Sequence, residues 1–231
     1  MKLYDLALAD IDVRPSPFCW LAKFALLHKG LEFETEPLRF AEKHNYPDQD
    51  HGRVPILRDG DHIISDSANI IAYLEKSYPG ERIVATPGEQ AAADFYNSWV
   101  GANLFPALGP VMFVRVHAAV HEDDKEYFRS SREKRFGQTL EELSMTPGLK
   151  EKAEASLQVL SAPLVRHKFL GGDKPNLSDY IVFSPFMWQR VTTSETFYET
   201  PQAVGAWQER MLDLFDGYAR KAKTLGDKTA A

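Results

Sequence analysis

The sequence predicts an α/β domain followed by an all-helical domain. Three observations predict this. Short strand patterns alternate with helical ones over residues 1–80, strand signals vanish beyond residue 88, and a Pro/Gly-bearing stretch, residues 80–88 (GERIVATPG), separates the two regimes. The domains are therefore expected at residues 1–80 and 89–231.

In the first domain, residues 2–8 alternate around Leu3, Tyr4, Leu6 and Leu8, as a strand does. Ser16-Pro17 reads as a helix start, a hydroxyl cap followed by proline at the first helical position. Phe18, Leu21, Ala22, Ala25 and Leu26 then recur at helical spacing until Gly30. Residues 31–37 have strand character. Val54–Leu57, the turn Asp59-Gly60 and Ile63-Ile64 read as two strands around a tight turn. Asp66-Ser67 opens a second helix with Ile70, Ile71 and Leu74 on its inner face, and Pro79-Gly80 ends it. The first crossover implies parallel strands. Beyond the linker, a long helix through Phe95, Trp99 and Ala102 is expected to be interrupted near Pro106 and Pro110. Further helices are expected over residues 127–143, 150–167, 177–190 and 201–221, completing a bundle.

Bulk properties exclude several function classes. Charged residues make up 26% and hydrophobic residues 44%, ordinary for a globular protein. The net charge of −6 gives no global basic field for nucleic acid, and Arg129, Arg132, Lys134 and Arg135 are expected to be offset by Glu126, Glu133, Glu141 and Glu142. A single cysteine allows no intrachain disulfide and no multi-cysteine metal site, which fits a reducing, cytoplasmic setting. The acid-containing N-terminus does not read as a signal peptide, and no run is expected to reach the apolar length of a membrane span.

The segment Ser16-Pro17-Phe18-Cys19 opens the first helix directly after the first strand. Thioredoxin-like redox proteins place a cysteine pair here; in this chain the first position is Ser16 and the second is Cys19. A serine cannot readily form a mixed disulfide, but it can donate its O–H to a ligand's thiolate and lower that thiol's pKa. The plainer reading of Ser16 is a helix N-cap, with backbone and ligand competing for the hydroxyl. Cys19, one turn in and without its partner, reads as a small buried apolar residue. For Val54-Pro55 the residues alone predict a trans bond, since cis occurs at about 5–6% of X-Pro bonds. Asp66-Ser67 is either a plain helix start or a carboxylate site, with Ser67 and the helix N–H groups as donors and Asp66 facing an ammonium.

Four segments in this order resemble the cytosolic glutathione transferases: SPFCWLAKFALLHKG from Ser16, GRVPIL from Gly52, SDSANIIAYL from Ser65, and GGDKPNLSDY from Gly171. The resemblance implies an N-terminal thioredoxin-like domain and a C-terminal helical bundle, glutathione as co-substrate, and a homodimer. It implies that Ser16 is the catalytic serine of the serine-type classes. It further implies that Val54 pairs its backbone with the cysteine of glutathione beside a cis Pro55, and that Asp66 and Ser67 hold the γ-glutamyl group. Arg53, just before Val54, reads first as a solvated loop arginine and second as a contact for the glycine carboxylate. Asn176-Leu177-Ser178-Asp179 matches the capping box of the family's buried helix. One departure is Leu21, where many relatives carry arginine. Within the family, Ser16-Pro17 with Trp20, the run from Tyr127 to Glu133 with Phe136-Gly137, and the run from Leu170 to Asn176 resemble bacterial glutathione-dependent β-etherases and a related fungal class. Trp99, Phe105, Phe113 and Trp188 are expected either to line an apolar pocket beside the thiol or to be bundle core. Three functions follow: a transferase acting on hydrophobic aromatic electrophiles, a non-catalytic binding protein of the same fold, and a thiol-disulfide reductase. Ser16 counts against the last.

Overall fold

The computed structural model describes residues 1–226. Four strands form one mixed sheet in the order β2-β1-β3-β4. Strand β1 (Lys2–Leu6) pairs parallel with β2 (Glu34–Leu38), Lys2 opposite Glu34, as the crossover through helix α1 (Pro17–His28) requires. On its other edge β1 pairs antiparallel with β3 (Ile56–Asp59), which turns at Gly60 into β4 (His62–Ser65). Helix α2 (Ser67–Ser77) follows. Three strands are shorter or shifted relative to the sequence expectation. Thus β1 stops at Leu6, β2 begins only at Glu34, and β3 begins after the proline at Pro55, which has no N–H for a ladder.

The helical part starts earlier than the linker reading allowed: Thr86 caps α3 (Pro87–Trp99) through the Glu89 N–H. The expected interruption at Pro106 and Pro110 does not occur. A π-helical turn, Val100–Leu104, precedes α4 (Phe105–Ala119), and the chain stays helical through both prolines. The wider turn relieves the clash a proline ring makes with the carbonyl four residues before it. The resulting run, Pro87–Ala119, corrects a second expectation: by length and composition it could cross a membrane, although only as core helices also do, with 44% of its apolar window buried.

The helix expected at residues 127–143 is two helices. His121 caps α5 (Glu122–Phe136), left-handed Gly137 at φ 71° ends it, and a capping box at Thr139 and Glu142 starts α6 (Leu140–Ser144). Then come α7 (Leu149–Leu164), α8 (Leu177–Thr192) and α9 (Gln202–Gly217). The last breaks at Leu214–Asp216, where Phe215 and Asp216 take positive φ, so it does not run on to residue 221. Helix α8 is the central post, with every residue but Arg190 buried. Phe24 of α1 stacks on Tyr180 of α8 at 5.5 Å and 12°, and one apolar core runs from Leu3 through Trp20 to Trp207. Under α1, Lys23 forms a buried ion pair with Asp5, neither of which the apolar pattern revealed.

Candidate functional site

Ser16 lies 6% exposed at the N-terminus of α1, where its Oγ accepts the Cys19 N–H at 3.3 Å. The loop before it is pinned: the Ala7 N–H donates to the Leu38 carbonyl at 2.9 Å, and the Trp20 indole donates to the Arg14 carbonyl at 2.8 Å. The sequence reading set capping and ligand activation in competition for one hydroxyl. The geometry removes the conflict. Capping uses an oxygen lone pair, so the O–H, which is within reach of the Cys19 sulfur, can turn to a ligand without uncapping the helix. Cys19 is fully buried, and burial, with Asp5 nearby, pushes its thiol well up. A thiol held protonated is a poor nucleophile, so the plain reading of Cys19 stands.

The Val54-Pro55 bond is cis, against the trans expectation from the residues alone and in line with the resemblance. Pro55 is buried and offers its carbonyl to the Asp66 N–H at 3.1 Å. That bond ties the loop before β3 to the corner before α2. Val54 thereby presents its peptide edge: no hydrogen bond among the described residues uses its amide or carbonyl. Arg53 beside it is exposed. Asp66 caps α2 through the Ala68 N–H at 2.9 Å and holds φ 77°, ψ 138°, a region that costs a non-glycine residue about 1–3 kcal/mol. Ser67, 5% exposed, is the first residue of that helix.

These residues flank two adjoining cavities. Ser16, Arg53 and Val54 line one of about 800 Å³; Asp66 and Ser67 line another of about 1010 Å³. Pro17, Phe18 and Phe105 belong to both walls, and Phe18 stacks on Phe105 at 5.9 Å. Pro55 reaches neither cavity and acts through the backbone alone. Of the four aromatic residues singled out by spacing, Phe105, Phe113 and Trp188 line the cavity at Ser16. Trp99 does not: it is 8% exposed and belongs to the core. The sequence reading missed the opposite wall, where α5 supplies Tyr127, Phe128, Arg132, Arg135 and Phe136. Their spacing of three and four residues was the available signal. Arg129 is offset as expected, by Glu133 at 2.8 Å and Glu141 at 2.7 Å, but Arg132 and Arg135 have no carboxylate partner among the described residues.

The arrangement offers a free peptide edge, an anion-favouring helix start and a hydroxyl donor at the mouth of an aromatic-walled cavity. It suits an extended peptide-like ligand whose reactive atom carries negative charge beside Ser16. Residues 11–82 match the family profile "Glutathione S-transferase, N-terminal domain", and residues 91–218 match "Glutathione S-transferase, C-terminal domain". Glutathione S-transferase 1 of Dianthus caryophyllus is 28% identical over 131 residues, covering 54% of this chain and 56% of that protein. Glutathione S-transferase U12 of Arabidopsis thaliana is 32% identical over 111 residues, covering 45% and 44%. The matches thus span about half the length of these curated relatives. In fold, the chain is similar to a glutathione transferase of Phanerochaete chrysosporium (TM-score 0.73, 24% identity, 94% of this chain and 91% of that one). It is also similar to a glutathione S-transferase of Ceriporiopsis subvermispora solved in complex with glutathione (TM-score 0.75, 23% identity, 93% and 96%). With both halves matched, in order and over most of the chain, this protein belongs to the glutathione S-transferase family.

Proposed function

We propose that this chain is a serine-type glutathione transferase that raises the thiolate population of glutathione and directs it at hydrophobic aromatic electrophiles. One observation carries the reading: Ser16 opens α1 on the same cavity as the free peptide edge of Val54. In this reading Val54 pairs with the cysteinyl backbone, Asp66 and Ser67 hold the γ-glutamyl ammonium and carboxylate, and Arg53 faces the glycyl carboxylate. The helix start and Ser16 stabilise the sulfur as its anion. The finer proposal is β-aryl ether cleavage. The thiolate attacks the carbon bearing the aryloxy group, the C–S bond forms, and the C–O bond breaks with its electron pair going to a phenolate. A phenol titrates near ~10, so the leaving group departs without a strong acid behind it. We also propose a homodimer and a cytoplasmic setting, the latter supported by a lone buried cysteine.

Titration calorimetry with glutathione tests the first layer. Wild type is expected to bind, and Asp66→Asn with Ser67→Ala to bind at least about tenfold more weakly. Wild type that ignores millimolar glutathione refutes the reading. Incubation with glutathione and an α-keto β-aryl ether, or separately chlorodinitrobenzene, tests the second layer. Phenol release supports ether cleavage; turnover of the chloro compound alone leaves a general conjugating transferase. Turnover of neither by protein that binds glutathione shows a binding protein.

A further inference from the structure

Resting on the glutathione reading, we infer that the cavity at Ser16 selects aromatic electrophiles carrying a carboxylate or comparable oxyanion, which the guanidinium of Arg132 receives. The charge of the lining is the starting point. The chain holds 33 acidic against 27 basic residues, yet among the described residues this cavity is lined by Lys43, Arg53, Arg132, Arg135 and Lys152 and by no aspartate or glutamate. A random sampling of so acidic a surface would not leave that wall free of carboxylates.

Arg132 is the informative member. Its neighbour one turn back, Arg129, is saturated by Glu133 and Glu141. Arg132 instead donates to the Ser131 hydroxyl at 2.8 Å, and lies over the Phe128 ring at 3.9 Å and the Phe40 ring at 5.1 Å. The two rings remove water without supplying a counter-charge, and burial drops the guanidinium to about 10. A desolvated, planar donor with unused N–H groups is matched by a carboxylate, which takes two of them in parallel.

The remaining wall fits the other half of such a substrate. Phe113 sits 5.8 Å from Trp188 and 5.5 Å from Phe136, giving ring faces for an arene. The basic groups also divide by origin. Arg53 stands beside Val54 on the peptide side, whereas Arg132 and Arg135 project from α5 across the cavity, where the Lys43 ammonium also sits, 4.8 Å from the Tyr127 ring. One anion, the glycyl carboxylate, accounts for Arg53 and leaves the α5 side of the cavity for the electrophile.

The test uses 4-chloro-3-nitrobenzoate and 4-chloro-3-nitrobenzamide, which share ring and leaving group. In each, the glutathione sulfur bonds to the chlorine-bearing carbon, chloride leaves with the bonding pair, and the thiol proton passes to solvent. With kcat/KM normalised to each compound's uncatalysed rate with glutathione, wild type is expected to favour the benzoate by about tenfold or more. Arg132→Met should bring the ratio to near one, and Arg132→Lys should keep part of it. A wild-type ratio near one, or an Arg132→Met ratio equal to wild type, overturns the inference. Calorimetry with 3-nitrobenzoate and 3-nitrobenzamide, without glutathione, reads the same pocket independently. Tighter benzoate binding that Arg132→Met abolishes supports the inference even if glutathione itself gives no heat, the result that would refute the transferase reading alone. Benzoate binding no tighter than benzamide binding overturns it.

Discussion

Ser16 and Cys19 sit one helical turn apart and carry opposite chemistry because burial differs in kind. The Cys19 sulfur is sealed from solvent and held protonated; the Ser16 oxygen borders a cavity. A hydrogen bond to a charged acceptor is worth roughly 1.5–3 kcal/mol, so Ser16 should lower the bound thiol by about one to two pKa units from its free value near ~8.5. Thiolate absorbance of the glutathione complex against pH should therefore titrate about one to two units higher in Ser16→Ala. Below the wild-type midpoint the variant should hold about ten- to a hundredfold less thiolate, and above its own midpoint both hold thiolate, so the rates should differ by that factor at low pH and converge at high pH. Cys19→Ala should leave the midpoint in place. A midpoint moved by the Cys19 change instead would contradict the assignment.

At the scale of elements, α8 shows how a buried helix satisfies its own end. Asp179 reaches back to the Asn176 N–H at 3.1 Å in the capping box. It also accepts the Leu170 and Gly171 N–H groups at 2.7 and 2.9 Å and the Trp207 indole at 2.8 Å. Burial raises its pKa, and these four donors oppose that without reversing it. Gly171 is required by the close approach: a Cβ there would lie 2.6 Å from Asn176 Cγ and 2.7 Å from the Lys174 carbonyl. Asp179→Ala strands the buried Trp207 indole and three part-buried backbone N–H groups and should cost about 3 kcal/mol or more in denaturant unfolding. Ser178→Ala removes a buried hydroxyl that has no hydrogen-bond partner among the described residues and should change stability by less than about 1 kcal/mol. Equal costs for the two would show that the helix, rather than the carboxylate, holds the loop.

At the scale of the molecule, His28 joins three parts of the chain. One ring nitrogen lies 3.1 Å from the Arg82 carbonyl, which can only accept, so Nε2 carries the proton and Nδ1 accepts the Tyr180 hydroxyl at 2.7 Å. Burial first, with Lys29 adding to it, holds the imidazole below its ordinary 6.5. Between the depressed folded value and 6.5, the unfolded chain binds the extra proton. Stability from this group is thus complete above pH 6.5 and is lost as pH falls through that window. Unfolding free energies measured on either side of pH 6.5 should fall toward acid, and His28→Gln should flatten the slope. An unchanged slope would remove His28 as the cause. For the proposed dimer, Phe95 is 59% exposed on α3 and Ile63 is 39% exposed on the edge strand β4, leaving apolar surface outside the core. Sedimentation at micromolar protein should give twice the chain's 26.1 kDa; a single 26.1 kDa species refutes the dimer.

Local chemistry was legible in the sequence wherever neighbouring residues decide it. The Ser16-Pro17 start, the Asp66-Ser67 corner, the capping box at Asn176 and the parallel first crossover each depend on spacing within a turn or one connection. The π turn before Pro106 and the break at Gly137 were local too, but a proline or glycine announces a disturbance without saying whether the chain stops or widens. Only the tertiary structure decided what the chain brings together from afar. It buried Asp5 against Lys23, sent Trp99 into the core while Phe105 and Trp188 faced the cavity, and left Arg132 between two rings without a carboxylate. The physical reason is one of range. Caps and turns are settled by hydrogen bonds a few residues long, whereas burial and charge pairing are settled by whichever distant segment packs alongside.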